Sequence, residues 1–177
     1  PFPFLAMTDD PALQLACARR SAAAKSVPVE APRRPAGGRI RLGYLSADFR
    51  DHATSFLMAE LFELHDRARF EVVGFSYGPR ERSPMRRRLE GAFDRFVDIA
   101  DASDEAAALR IRAAEIDIAI DLKGLTQDGR LGILSAHPAP VQVHYIGYPG
   151  TTGVDFIDYL IADAFVVPPD RQDCFTE

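Results

Sequence analysis

RIRLGYLSADFRDHATS, residues 39–55, joins a predicted strand to a predicted helix through a polar loop. Its first part, Ile40 to Leu45, is a short β-rich run and predicts a strand. The helix formers from Ser55 to Leu64 predict a helix directly after it. Short β-rich runs and helical stretches go on alternating along the chain, which is the pattern of right-handed βαβ units. We therefore expect an α/β fold built on a parallel sheet.

The predicted elements follow from this alternation. We expect strands at Ile40 to Leu45, Phe70 to Ser76, Arg95 to Asp98, Ile116 to Leu122 and Val141 to Tyr145, with a candidate sixth at Tyr159 to Ala162. We expect helices at Ser55 to Leu64, Ser83 to Gly91, Asp104 to Ala114 and Arg130 to Ser135, and a short turn at Val154 to Tyr159. The predicted buried faces are Phe56, Leu57, Ala59, Leu61 and Leu64 in the first helix, and Ala107, Leu109, Ile111 and Ala114 in the third.

The segment before Arg39 has a different character. Asp10 as cap and Pro11 at the first helical position predict a helix that continues over Ala12 to Ala24. The density of proline and glycine in Val27 to Gly38 predicts a linker. We therefore divide the chain into residues 1–38, a helix and linker, and residues 39–177, one domain. Because Pro168 to Glu177 carries no strand or helix pattern that would close a fold, we expect a piece of a longer protein.

Composition excludes several classes of protein. The chain has 177 residues, 47% of them hydrophobic, which is enough for the core of one ordinary domain. A net charge of −5 argues against a nucleic-acid binder. No apolar run reaches the ~20 residues of a membrane span, and no signal peptide is recognisable. The two cysteines, Cys17 and Cys174, suggest neither a zinc site nor a disulfide framework, which fits a reducing cytoplasm.

The arginines of one stretch allow two interpretations. Arg80, Arg82 and Arg86 to Arg88 lie close together in sequence. A solvated helix face explains them, and so does an anionic ligand; the solvated face is favoured.

Three loops that follow predicted strands are chemically unusual. All parallel strands point their carboxyl ends toward one edge of the sheet, and ligands bind in the crevice outside that edge. The loops in question are Ser46 to Ser55 after the first strand, Lys123 to Thr126 after the fourth and Gly147 to Gly153 after the fifth. We expect these loops to converge on one rim and to form half of a cleft.

Asp48 and His52, in the first of these loops, are a candidate acid/base pair. A histidine exchanges a proton near neutral pH, and a neighbouring carboxylate orients it or stabilises its charged form. The alternative is that Asp51, Thr54 or Ser55 caps the helix while His52 is a surface residue. The loop also runs into a helix amino terminus, which favours an anion such as a diphosphate.

The other two loops also have competing interpretations. Gly147 to Gly153 contains three glycines, a proline and two threonines, so it is either a plain turn or a loop whose backbone approaches a ligand closely. Lys123, followed by Gly124, could place its positive charge over phosphates or over an acceptor chain. The alternative is a lysine that is simply solvated.

The remaining histidines show no metal-binding pattern. His137 and His144 have no nearby acid at a ligand spacing, and no Asp-x-Asp pair occurs in the chain, so a metal-free mechanism is favoured. His144 lies inside an apolar strand, which predicts a hydrogen-bonded core residue. For His65, at the end of a helix, contact with the helix dipole is a sufficient explanation.

A series of motifs resembles the O-GlcNAc transferase family in order and spacing. The motifs are Arg41 to Phe49, His52 to Ser55, Phe70 to Val72, Gly124 to Thr126, Pro138 to Gln142, Ile146 to Gly153, and Asp158 with Tyr159. The resemblance covers roughly Arg39 to Pro169. Two departures are visible: Ala53 stands where animal members carry proline, and Pro1 to Gly38 contains none of the active-site histidines that animal members have upstream of the first strand.

The resemblance implies a fold and an architecture. The family has a GT-B architecture of two Rossmann-like lobes, here a Rossmann-like parallel sheet with helices on both faces, usually preceded by tetratricopeptide repeats. This chain is similar to the amino-terminal lobe only, so the implied partners are the C-terminal catalytic lobe and upstream tetratricopeptide repeats. The implied location is the cytoplasm, with no nucleic acid and no membrane as partners.

The resemblance also implies a reaction. N-acetylglucosamine would pass from UDP-GlcNAc to serine or threonine hydroxyls of a protein or peptide acceptor, with inversion and without metal or other cofactor. Asp48 and His52 match positions proposed to handle the proton, and Thr54 matches a position lining the sugar and acceptor site. The remaining implied substrate-binding residues are Lys123, Gly124, Ile146, Gly147, Tyr148, Pro149, Gly150 and Thr151. The alternatives are a non-catalytic Rossmann-like module that binds a peptide or nucleotide, and a GT-B lobe that uses another sugar donor.

Overall fold

The computed structural model describes residues 1–22 and 37–177. Most of the predicted linker, and the predicted end of the first helix at Ala24, lie outside the described residues. The strands are β1 (Ile40–Ser46), β2 (Phe70–Ser76), β3 (Arg95–Asp98), β4 (Ile118–Asp121), β5 (Val141–Tyr145) and β6 (Tyr159–Ile161). The α-helices are α1 (Pro11–Ser21), α2 (Ala53–Leu64), α3 (Pro84–Ala92), α4 (Asp104–Ala113) and α5 (Leu131–Leu134), with 3-10 helices at Phe2–Ala6 and Pro169–Cys174.

The strands form one parallel sheet in the order β3-β2-β1-β4-β5-β6. β1 is central and pairs with β2 from Ile40 opposite Phe70 onward, and with β4 from Leu42 opposite Ile118 onward. This is the strand order of a doubly wound Rossmann fold, in which the chain winds outward first in one direction and then in the other. The predicted α/β fold, a Rossmann-like parallel sheet, is confirmed.

Helices cover both faces of the sheet because the strand residues alternate between two cores. Leu42 and Tyr44 of β1 pack with α2 and α3, whereas Leu45 packs on the opposite face with α4 and α5. A buried aromatic group strengthens the first core: the rings of Phe62 and Phe93 lie 4.7 Å apart. A strand that is buried on both faces is a near-continuous apolar run, which is why β1 was recognisable in the sequence.

The predicted buried face of α2 is wrong at three of its five residues, whereas Ala59 is buried and Leu61 packs against the core as predicted. Phe56 and Leu57 are 64% and 70% exposed, and Leu64 is 75% exposed, while the helix buries Ser55, Met58, Ala59 and Phe62. The helix begins at Ala53, two residues earlier than predicted. The contact face is set by Met58 and Phe62, which are four residues apart and therefore lie one above the other on the helix.

Other differences are small and have local causes. β4 spans Ile118–Asp121 and is shorter at both ends than predicted; just before its start the Asp117 side chain accepts a hydrogen bond from the Arg41 amide, 2.8 Å away. At Val154 to Tyr159, where a short turn was predicted, the chain bends at Asp155 and Phe156 and then enters β6 at Tyr159. The chain end, for which no regular structure was predicted, contains the 3-10 helix Pro169–Cys174.

Helix starts follow ordinary capping chemistry. The Asp10 side chain accepts hydrogen bonds from the amides of Ala12 and Leu13, as predicted from the sequence. Ser83 caps α3 and Ser103 caps α4 in the same way.

Among the described helices none is long and apolar enough to cross a membrane.

Candidate functional site

The point at which the strand order reverses lies between β1 and β4. In open α/β sheets this is where ligands bind, outside the carboxyl ends of the strands. The β1 loop (residues 47–52) and the β4 loop (residues 122–130) leave the sheet at this point, and the β5 loop (residues 146–153) is the next one along. The three loops singled out in the sequence therefore share one edge, as predicted.

The β1 loop is held by hydrogen bonds at several points. The Asp48 amide donates to the Ser46 hydroxyl at 2.9 Å, and the Ser55 hydroxyl donates to the Asp48 carbonyl. Arg86, buried in α3, donates to the Phe49 carbonyl at 3.1 Å. These bonds fix the backbone on both sides of Asp48, so its carboxylate has a defined position.

The Asp48 carboxylate lies among basic groups. Lys123 Nζ donates to Asp48 Oδ2 at 2.6 Å, and both side chains are buried, with exposed fractions of 8% and 4%. Arg50 reaches Asp48 Oδ1 at 3.7 Å, and His52 Nδ1 lies 3.5 Å from Asp48 Oδ2. The interpretation of Lys123 as a solvated lysine is wrong, because its side chain is buried and its ammonium pairs with Asp48; its interpretation as a cation for phosphates or an acceptor chain stays a prediction. Even with neutral His52, this group of charges carries a net positive charge.

His52 itself caps α2. Its Nδ1 accepts a hydrogen bond from the Thr54 amide at 3.2 Å, so the sequence interpretation that gave the cap to Asp51, Thr54 or Ser55 is wrong. Its side chain is 36% exposed. Among the described residues no group bonds His52 Nε2, so this nitrogen remains available at the rim of the site.

The β5 loop lies tightly against the end of β4. Ile146 and Gly147 have φ values of 55° and 75°, in the left-handed region. A Cβ at Gly147 would lie 2.4 Å from the Leu122 carbonyl oxygen, so only glycine fits there. A Cβ at Gly153 would lie 3.1 Å from the Leu15 and Arg19 side chains, so α1 packs on the end of the same loop.

His144 and Asp121 connect the β4 and β5 loops beneath the site. His144 Nδ1 lies 3.2 Å from Asp121 Oδ2, and His144 Nε2 lies 2.8 Å from the Tyr148 carbonyl oxygen. Asp121 also accepts hydrogen bonds from the amides of Lys123 and Gly124. His144 is fully buried, so the prediction of a hydrogen-bonded core histidine is confirmed.

The threonines of the β5 loop do not face the cleft freely. Thr151 Oγ1 and the Thr152 amide donate to the Glu177 carboxylate at 2.8 and 2.6 Å, and the Thr152 hydroxyl donates to it as well. Both threonines are buried. Glu177 therefore holds the β5 loop in place through these three hydrogen bonds, an arrangement called the Glu177 staple below; close approach of the loop to a ligand stays a prediction.

The other predicted site residues differ in their exposure to solvent. Thr54, Ile146 and Gly147 are partly exposed and Pro149 is exposed, whereas Gly124, Tyr148 and Gly150 are buried. Sequence reasoning missed Arg50, Arg86, Asp121 and Glu177 as contributors. Asp121 had one available signal, since it ends a strand two residues before Lys123; Glu177 had none.

Internal ion pairs explain Arg80, Arg86 and Arg88 of the arginine stretch near α3, whereas Arg82 and Arg87 are exposed, as the solvated-face interpretation predicts. Arg80 bonds Asp98 at 2.6 Å and also reaches Asp101, and Arg88 bonds Glu63 at 2.7 Å. Arg86 is buried, so the solvated-face interpretation is wrong for this residue. The ligand interpretation finds no support in these contacts. In the described residues, no group of three or more His, Cys, Asp or Glu side chains is arranged to hold a metal ion.

Comparison with known proteins gives a consistent result. Residues 15–177 match the family model described as glycosyl transferase family 41. The chain is 36% identical, over its whole length, to the probable UDP-N-acetylglucosamine–peptide N-acetylglucosaminyltransferase SEC of Arabidopsis thaliana, of which it covers 20%. It is 38% identical over 80% of its length to the UDP-N-acetylglucosamine–peptide N-acetylglucosaminyltransferase of Caenorhabditis elegans, of which it covers 12%.

A solved structure resembles the fold closely. A mutant of Thermobaculum terrenum O-GlcNAc transferase superimposes with a TM-score of 0.86 and 33% sequence identity. The match covers 95% of this chain and 33% of that chain. The present chain thus spans about a third of that transferase and a fifth or less of the two curated relatives.

Proposed function

The chain belongs to glycosyl transferase family 41, and from this premise we propose that it is the amino-terminal catalytic lobe of a GT-B enzyme. The proposed enzyme transfers N-acetylglucosamine from UDP-GlcNAc to serine or threonine hydroxyls of proteins, with inversion and without a metal ion. The observation that carries the proposal is the meeting of Asp48, His52 and Lys123 where the strand order reverses. Residues 1–38 precede this lobe, and residues 39–177 form it.

The charges at the rim support an anionic donor. Asp48 supplies one negative charge, while Lys123 and Arg50 supply two positive ones within 4.0 Å of it. A diphosphate leaving group gains negative charge as the bond to the sugar breaks, and fixed positive charge nearby stabilises it. The amino terminus of α2 directly follows the β1 loop, and a helix amino terminus favours an anion. Because Lys123 is engaged by Asp48, we assign it to positioning this carboxylate rather than to direct contact with phosphate.

His52 is the proposed proton acceptor. The acceptor hydroxyl oxygen forms a bond to the anomeric carbon, the bond from that carbon to the diphosphate oxygen breaks, and the hydroxyl proton moves to His52 Nε2. For this, Nδ1 must carry the other ring proton, and Asp48 Oδ2, 3.5 Å away, is the group toward which it would point. In the capping arrangement Nδ1 instead accepts from Thr54. The two arrangements differ in tautomer, because the cap requires an unprotonated Nδ1 and proton acceptance at Nε2 requires a protonated one; the proposed reaction therefore needs the hydrogen bond from the Thr54 amide to be given up.

The other proposed substrate contacts lie on the same rim. Thr54, Ile146, Gly147 and Pro149 are partly or fully exposed there and are proposed to line the sugar and acceptor sites. Gly124, Tyr148, Gly150 and Thr151 are buried, so we propose that they act through backbone position. The C-terminal lobe and upstream tetratricopeptide repeats are the proposed partners, since the chain covers only 20% of a matching relative. The two free cysteines are compatible with a cytoplasmic location.

The experiment compares two substitutions of His52 in the intact protein. His52→Ala removes both the imidazole and the cap, which costs about 0.5–2 kcal/mol of stability. His52→Asn keeps a side chain that caps well but has no basic nitrogen. Transfer of labelled GlcNAc to a peptide should be abolished in both variants, while His52→Asn should unfold at the wild-type temperature. Near-normal transfer by His52→Asn would refute the role of the imidazole.

A panel of donors separates the alternatives. Transfer from UDP-GlcNAc by the wild type supports the proposal, whereas transfer from another UDP-sugar alone assigns a different donor. Binding of UDP-GlcNAc with no transfer to any peptide and no hydrolysis would favour a non-catalytic binding module.

A further inference from the structure

Both ring nitrogens of His144, the buried histidine of β5, face oxygen atoms, which burial in the core does not by itself require. Each nitrogen of His144 faces an oxygen that accepts hydrogen bonds: the Asp121 carboxylate at 3.2 Å and the Tyr148 carbonyl at 2.8 Å. A neutral imidazole carries a single N–H, so it satisfies only one of these partners, whereas an imidazolium satisfies both. A backbone carbonyl never donates, and an ionised carboxylate accepts only, so the geometry selects the cationic ring.

The two partners of His144 belong to the loops that form the site. Asp121 ends β4, and its carboxylate accepts from the amides of Lys123 and Gly124, the latter at 2.5 Å. Tyr148 belongs to the β5 loop and follows the left-handed pair Ile146 and Gly147. The ring of His144 therefore joins the first residues of the β4 loop to the turn of the β5 loop.

Close packing makes this connection stiff. A Cβ at Gly124 would lie 2.7 Å from Cε1 of His144 and 2.8 Å from Cβ of Tyr148. The backbone of the β4 loop thus lies directly against the histidine ring, and only glycine allows that approach. A shift of the ring would move Gly124, and with it Lys123, whose Nζ is hydrogen-bonded to Asp48.

We propose that His144 is a positioning residue for sugar transfer: as an imidazolium between Asp121 and the Tyr148 carbonyl, it fixes the β4 and β5 loops in their working arrangement. This bridge (Asp121, His144 and the Tyr148 carbonyl) makes no contact with substrate. It acts through Lys123 on Asp48 and through Gly147 on the rim. The expected effect on the rate of sugar transfer rests on the proposed function, whereas the charge state of the His144 ring does not.

The charges around His144 favour the same form. Burial, the largest influence, lowers the pKa of His144, but the hydrogen bond and charge of Asp121, the Tyr148 carbonyl and the charge of Glu177 together raise it above 6.5. The charged groups that act on the ring are Asp121 on β4 and Glu177 in the C-terminal segment. The β5 loop adds one titratable group, the Tyr148 phenol. The bridge is therefore intact below pH 6.5 and is lost as the pH rises through the raised pKa of the folded protein.

The test uses His144→Gln and Asp121→Asn in the intact protein, with His137→Asn as the control. His137 is partly buried with a φ of 46°, a conformation that asparagine tolerates, and it lies outside the bridge. We expect kcat/KM for UDP-GlcNAc to fall at alkaline pH in the wild type. This descending limb should move to lower pH in Asp121→Asn, which removes the negative charge that favours the imidazolium. It should disappear in His144→Gln, whose kcat/KM should be about 10- to 100-fold lower throughout.

Hydrogen exchange provides a readout that does not depend on activity. The amides of Lys123 and Gly124 should lose protection in the wild type, beyond intrinsic base catalysis, as the pH rises through the raised pKa of His144. They should be unprotected at all pH values in His144→Gln, and His137→Asn should behave as the wild type does.

The outcomes separate the two proposals. A pH profile shared by the wild type, His144→Gln and Asp121→Asn overturns the positioning role. A wild-type protein that transfers no sugar at any pH overturns the proposed function instead, and the exchange of Lys123 and Gly124 then decides whether the bridge exists. If the protection of the Lys123 and Gly124 amides in the wild type is the same across the pH range, the bridge itself is overturned.

Discussion

Removing the charge of Lys123 should destabilise the protein by about 3 kcal/mol, the lower end of the range for breaking a buried ion pair. Lys123→Met keeps the length and the apolar stem of the side chain but leaves Asp48, whose side chain is 4% exposed, without its partner at 2.6 Å. The lower end of the range applies because Arg50 and His52, at 3.7 and 3.5 Å, still compensate part of the Asp48 charge. For a domain of this size, a loss of about 3 kcal/mol lowers Tm by roughly 6–12 °C.

The assay is a double-mutant cycle followed by thermal and urea unfolding. Asp48→Asn removes the other charge, and the variant carrying both substitutions should be less destabilised than the sum of the two single variants, by roughly 1–3 kcal/mol. Arg80→Met is the matched control, since its ion pair with Asp98 is on the surface and Arg80 is 59% exposed. That control should change stability by less than about 1 kcal/mol. Additive single effects, or a Lys123→Met variant as stable as the control, would show that the ion pair does not form in solution.

Three further predictions concern Glu177, Gly147 and His65. Glu177→Ala should destabilise the protein by about 1–3 kcal/mol in urea unfolding, because it leaves the buried Thr152 amide and hydroxyl without an acceptor; no change would contradict the staple. Gly147→Ala should lower stability by at least about 1–2 kcal/mol, because of its φ of 75° and the clash with Leu122, whereas Gly91→Ala in α3, where nothing lies within 4 Å, should raise it by about 0.5–1 kcal/mol. Burial and then the charge of Arg67 lower the pKa of His65, so its contribution to stability is complete above pH 6.5 and is lost as the pH falls through the lowered value. The stability of His65→Gln measured against pH should lack this acid-side loss, and a curve parallel to that of the wild type would contradict it.

The fold was predictable because its signals are local. The last five residues of β1 and of β2 are buried and mostly apolar, and the capping residues Asp10 and Ser83 stand at the helix starts. The buried face of α2 was not predictable from apolar spacing, because Phe56, Leu57 and Leu64 are apolar but exposed. An apolar residue on a helix surface is common, so composition alone does not determine which face packs.

The candidate site was predictable as a location but not as a network. The rule that ligands bind at the carboxyl ends of parallel strands was enough to bring Asp48, Lys123 and Gly147 to one edge. The pairing of Lys123 with Asp48 joins residues 75 positions apart, and Glu177 reaches Thr152 from 25 positions away. No periodicity relates such residues. The pairing of β1 with β4 brings Asp48 and Lys123 together, whereas the contact of Glu177 with Thr152 depends on the path of the chain after β6.

The paired charges beneath the site constrain how variants must be interpreted. Asp48 with Lys123 and Asp121 with His144 are two buried pairs of opposite charge, connected through the backbone from Asp121 to Lys123. Neutralising any one member leaves a buried partner uncompensated, so it should lower stability as well as transfer activity. Loss of activity in those four variants therefore does not by itself identify a chemical role. His52 differs, because its side chain is 36% exposed and asparagine replaces its cap, so a loss of activity there at unchanged stability reports on the chemistry of the imidazole.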